Sequence, residues 1–138
     1  MIGVEKVAND KMGRAYGRLI ENSSTKEIKP FFETHISKET KVITDGWRGY
    51  WPLKTEYNLE QILSAKGVNF PELHIVMMSF KGWLRGIHHK CSKRFMQGYL
   101  DEFFFRFNRR NFMKSIFHKL VEQWFWPNPI STKKMRPK

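Results

Sequence analysis

Cysteine is nearly absent: Cys91 is the only one, so no internal disulfide can form, in keeping with a reducing compartment. No apolar run approaches the roughly 20 residues needed to span a bilayer, and the first residues lack the basic-then-apolar order of a secretory signal. These absences predict a cytoplasmic protein with no membrane partner. Proline and glycine are not clustered, and with 41% hydrophobic and 15% aromatic residues a disordered chain is excluded on composition. Acid is the remaining shortage. Only 13 Asp and Glu stand against 25 Lys and Arg, a formal net charge of +12. A folded domain with that imbalance attracts polyanions through its summed field, which makes nucleic acid the first partner to expect and a nucleoid-associated location its consequence.

The 138 residues suit one compact unit with a sizeable core. We expect a single domain over 1–126 and a basic flexible tail over 127–138, beginning at Pro127 and Pro129. Strands are expected near 2–7 and 14–20, joined by a turn at Asn9, Asp10 and Gly13. Ser24 followed by Glu27 has the form of a capping box for a helix through about Ile36, with Ile28, Phe31 and Phe32 inward and Pro30 as a local weakness. A third strand near 41–45 uses β-branched Val42 and Ile43 and delivers Asp45 to its carboxyl end, where open α/β sheets place their chemistry. Asn58–Lys66 has weak helical spacing through Leu59, Ile62 and Leu63, stopped by Gly67. From Pro71 the spacing of Leu73, Val76, Met77, Phe80, Leu84 and Ile87 defines an apolar helical stripe. Ser92 is placed to cap the next helix, which buries Phe95, Tyr99, Phe103, Phe104 and Phe107. A last helix is expected over Asn111–Trp126. The fold class is therefore α/β, a short mixed sheet followed by a helical carboxy-terminal half.

Few residues carry candidate chemistry. His74, Met78, Lys81 and Arg85 recur at i, i+4, i+7 and i+11, so they share one helix face beside the apolar stripe. Such a face suits a phosphodiester backbone, and an ordinary solvated face has the same pattern. Asp45 in Thr-Asp-Gly reads equally as a turn residue. His88, His89 and Cys91 are nearly adjacent and lack a fourth ligand, which does not match a zinc-site spacing. The aromatics from Phe103 to Phe107 continue an apolar stripe and read as core.

Three segments, Thr44–Tyr50, His74–Gly86 and Ser92–Arg110, together resemble the ISXO2-like transposase domain of bacterial insertion sequences, a member of the DDE superfamily with an RNase H-like fold. The resemblance covers nearly the whole chain. It implies that Asp45 is the second acid of a catalytic set and a ligand of Mg²⁺ or Mn²⁺, and that His74 occupies the third position, where many relatives have Glu and one branch has His. It implies that Lys81, seven residues on, meets DNA phosphate; Arg85 on the same helix face and basic Arg106, Arg109 and Arg110 are expected as further DNA-binding residues. Two-metal chemistry explains the need for oxygen ligands: the metals activate the attacking oxygen and neutralise charge on the leaving one.

The chain also departs from that pattern. The first acid of relatives lies upstream of the segment matching Met1–Val7, and Asp10 does not replace it. A histidine common after the Asp-Gly-Trp segment is replaced near Leu59, an Asn before the helix lysine is Ser79, and the amino-terminal zinc-ribbon-like region is not in this sequence. The resemblance thus implies an N-terminally truncated, incomplete RNase H-like fold: a DNA-binding transposase fragment related to metal-dependent strand transfer and inactive alone. The alternative is a noncatalytic regulator that competes with an intact transposase for element ends. A homodimer or pairing with a full-length transposase would be its partner besides DNA. The charge alone would also permit a basic domain that binds RNA.

Overall fold

The computed structural model describes residues 1–7, 11–88 and 90–112, together with 117, 118 and 121. The expected turn at Asn9 and Asp10, His89, most of the expected helix over Asn111–Trp126 and the tail over 127–138 lie outside the described residues.

Strand β1 (Ile2–Val7) pairs antiparallel with β2 (Lys11–Gly17), with Ile2 opposite Gly17 and an irregularity between Val4 and Lys6. The second strand was expected near 14–20 and lies three residues earlier. The ladder closes where Arg18 N–H donates to the Met1 carbonyl at 2.9 Å. Beyond it Leu19 N–H donates to the Gln97 side chain at 2.7 Å, so the backbone leaves the ladder.

Alternation along this hairpin sends its side chains to two cores. Ile2, Val4, Met12 and Ala15 pack with Val76, Leu100, Phe103 and Phe104. On the opposite face Tyr16 joins Ile28, Phe31, Phe32, Leu53 and Tyr57. A side chain at Gly3 would meet the Phe31 ring at 3.0 Å, so that residue keeps the second core close to the strand. The hairpin is therefore a middle layer, with helix α1 (Thr25–His35) on one side and helices α2 (Pro71–Ile87) and α3 (Met96–Phe107) on the other.

Helix α1 starts directly after Ser24 as expected, but the capping box does not form. Ser24 makes no side-chain cap bond, and its own N–H, which Glu27 would have reached, donates to Asn22 Oδ1 at 2.9 Å. Pro30 sits inside the helix and removes one backbone bond. Pro71 opens α2 in its first turn, where a missing N–H costs nothing. Ser92 precedes only a short 3-10 turn, Lys93–Phe95, and caps nothing with its side chain.

The weak helix expected over Asn58–Lys66 is instead strand β4 (Leu59–Gln61), followed by a 3-10 turn at Ala65–Gly67. It pairs parallel with β3 (Val42–Thr44), continued by Val42 N–H to the Asn58 carbonyl at 2.8 Å and Ile62 N–H to the Thr44 carbonyl at 3.0 Å. Tertiary pairing overrides the helical spacing because it buries Leu59 against the second core and leaves Glu60 outward, 2.7 Å from Lys41. Leu63, which completed the helical pattern, is 81% exposed. The result is a mixed α/β fold with two two-stranded sheets in place of one short mixed sheet. An open cleft is lined by Met1 and Ile2 at the start of β1 and by Asp45 beyond β3.

Candidate functional site

Asp45 follows β3 directly, as the strand reading required, and is exposed. Its Oδ1 accepts the Trp47 N–H at 3.2 Å, an Asx turn that holds the carboxylate beside the strand end. Gln61, the last residue of β4, donates its amide to the carbonyls of Asp45 and Trp47, both at 3.0 Å. The Trp47 indole donates to the Ser23 carbonyl at 2.7 Å. The loop is thus tied to the parallel strand on one side and to the start of α1 on the other. It borders a cleft of about 450 Å³ whose lining also includes Ile20, Ile28 and Tyr50. Burial first, and then the charge of Asp45, pushes the Tyr50 phenol up. Among the described residues, no three His, Cys, Asp or Glu side chains gather where they could hold a metal ion.

His74, Lys81 and Arg85 stand apart from that lining, all exposed on α2. Val76 is fully buried, and Leu73, Met77, Phe80 and Leu84 are half-buried, so the apolar stripe points inward as its spacing required; Ile87, at the end, is 56% exposed. Trp83 joins that inner side, which the stripe had omitted. Opposite it lie His74, Ile75, Met78, Lys81 and Arg85. Glu72 is on another face and pairs with Lys6 of β1 at 2.8 Å, which holds its carboxyl below the usual range. The imidazole of His74 lies near Gly67, whose φ of +94° closes the turn that leads into α2. Neither Lys81 nor Arg85 has a hydrogen bond or ion pair to any described residue.

The arginines of α3 and its end are engaged within the fold. Arg106 pairs with Glu102 at 2.9 Å. Arg109 lies 3.5 Å over the Phe105 ring and donates to the Phe105 carbonyl. Arg110 stacks on Phe107 and donates to the carbonyls of Met12 at 2.6 Å and Gly13 at 3.2 Å. Sequence spacing disclosed none of this, nor the positioning by Gln61. Trp47 and Tyr50 were in view only as parts of the Thr44–Tyr50 segment.

Among the described residues, these features define a small α/β domain with an exposed acid at a strand end and a cationic face without partners on helix α2. Residues 2–108 match the family model described as the ISXO2-like transposase domain, and the chain belongs to that family of insertion-sequence transposases. The matched segment holds Asp45, His74, Lys81, Arg85 and Arg106, and stops before Arg109 and Arg110. No curated protein and no solved structure matches the chain. Among the described residues, no helix is long and apolar enough to cross a membrane.

Proposed function

We propose that this transposase domain binds DNA through the outward face of α2, with Lys81 and Arg85 as its principal phosphate contacts. The observation that carries the reading is their freedom: both cations are exposed and have no partner among the described residues, while Arg106, Arg109 and Arg110 have internal partners. A net charge of +12 and family membership point the same way. The order of hairpin, helix, acid-tipped parallel strand and long helix supports an RNase H-like arrangement.

The assignment of Asp45 and His74 as ligands of Mg²⁺ or Mn²⁺ rests on the family. When bound, such ions would polarise a phosphodiester and activate an oxygen nucleophile. The residues gathered at the cleft do not by themselves fit a two-metal site: Asp45 supplies one carboxylate, one of its oxygens already accepts from Trp47, and His74 is not in the lining. That shortage supports a chain with little strand-transfer activity alone, and equally a noncatalytic DNA-binding role in competition with an intact transposase.

Two measurements test this. Affinity for a duplex oligonucleotide should fall steeply with salt, each neutralised phosphate adding about −0.9 to the log-log slope; a flat response would remove the DNA reading. Strand transfer on an element-end oligonucleotide with Mg²⁺ or Mn²⁺ should stay at background. Turnover abolished by Asp45→Asn would refute inactivity and support the acid's role, whereas turnover that survives Asp45→Asn would refute both.

A further inference from the structure

Two glycines interrupt α2 on its outward face, Gly82 and Gly86, next in sequence to the two free cations. Each glycine inside a helix destabilises it relative to alanine. At Gly17 and Gly49 the packing explains the residue: a side chain at Gly17 would collide with Phe104, and one at Gly49 with Trp47 and the Ser23 backbone. At Gly82 and Gly86 a Cβ would meet nothing within 4 Å. Packing among the described residues therefore gives no return for the lost helix stability.

The surroundings indicate what would. At 3.6 residues per turn, Gly82 falls near the middle of the exposed face, between Met78 on the side of Lys81 and Arg85 and Ile75 on the other. Ile75 is 52% and Met78 55% exposed. Lys81 and Arg85 lie one turn apart, about 6 Å along the axis, with no described partner. A bare stretch of backbone flanked by two cations and two apolar side chains matches the chemistry of a sugar–phosphate strand: charge for the phosphates, apolar contact for the sugars, and no Cβ to hold the strand away.

We propose that Gly82 and Gly86 are close-approach positions, which let one sugar–phosphate strand of duplex DNA lie against the α2 backbone beside Lys81 and Arg85. This rests on the DNA-binding reading and deepens it. The glycines set how near the strand comes, and the cations set how strongly it is attracted.

The test is the double variant Gly82→Ala/Gly86→Ala in the full chain, followed by thermal unfolding, duplex binding across a salt series and sedimentation. The expected result has opposite signs: a raised melting temperature, about tenfold weaker DNA binding and an unchanged salt slope, since both charges remain. Gly98→Ala is the control. Gly98 is equally open in the first turn of α3, but its neighbours Gln97 and Asp101 bond each other at 2.8 Å, so only stability should rise. A double variant that is more stable yet binds like the wild type overturns the proposal and leaves the DNA reading intact. Equal loss of binding in Gly98→Ala also overturns it. So does a wild-type dimer that the double variant abolishes, because the glycines would then seat a second copy of the chain. Wild-type protein with no salt-dependent binding refutes the DNA reading itself.

Discussion

Asn108 donates to the Ala15 carbonyl at 2.8 Å and accepts the Ala15 N–H at 2.7 Å, the two bonds a neighbouring strand would otherwise make. Ala15 is fully buried, so neither group can turn to water if that amide is lost. Asn108→Ala should cost roughly 1–3 kcal/mol in urea unfolding; a change under a few tenths would show that the clamp is dispensable. Gly17 matters for shape. An added Cβ would run into the Phe104 ring and come within 3.1 Å of Leu100, and Gly17→Ala should cost about 1–3 kcal/mol by overpacking. His35 is stacked on Tyr16 with ring centroids 4.4 Å apart. Desolvation, and then the charge of Arg18, lowers its pKa from 6.5. A depressed histidine favours folding in full above its unfolded value and loses that contribution as the pH falls through the folded one. Stability should therefore begin to decline just below pH 6.5, before the lowered carboxyls of Glu56 and Glu72 protonate. His35→Gln should flatten that first decline; an unchanged profile would assign it to other groups.

Among the elements, α3 and the residues just after it cover the open edge of β2 with side chains rather than backbone. Gln97 meets Gly17 and Leu19, Asn108 meets Ala15, and Arg110 meets Met12 and Gly13. This leaves the hairpin with one edge closed against stray pairing. Helix α1 tolerates Pro30 because Ile28, Phe31 and Phe32 bury so completely. Pro30→Ala should restore a backbone bond and stabilise by about 1–2 kcal/mol, the helix gain less the entropy that proline removes from the unfolded chain. A loss of stability would mean that the ring is needed for packing.

Much of this architecture was legible beforehand. The periodicity from Pro71 set α2 with its inner and outer faces, and Val42 and Ile43 gave β3 with Asp45 at its end, because burial demands are local and repetitive there. Leu59–Gln61 was not legible, since three residues contain too little alternation and their state is set by pairing with a strand 17 positions earlier. The capping box failed for a similar reason: whether Ser24 N–H is free depends on Asn22, which no spacing rule includes. At the site, the residue types on the outer face of α2 were readable, but the division into free and engaged cations was not. Arg85 and Arg110 look alike in sequence and differ only in what lies opposite them.

For the whole molecule, that division decides where the positive charge can act. Lys29 and Lys41 are held by Glu56 at 2.6 Å and Glu60 at 2.7 Å, and Arg106 by Glu102, whereas Lys81 and Arg85 have no ion-pair partner among the described residues. A polyanion governed by net charge alone would respond equally to loss of any two cations. One that docks on α2 would not. The direct measurement is the salt dependence of duplex DNA affinity for Lys81→Ala/Arg85→Ala beside Lys29→Ala/Lys41→Ala, two variants with the same net charge. We predict that the first lowers the log-log slope by about 1.8, two phosphates' worth, while the second leaves it near the wild-type value. Equal slopes for the two variants would contradict the assignment of α2 as the DNA-binding face.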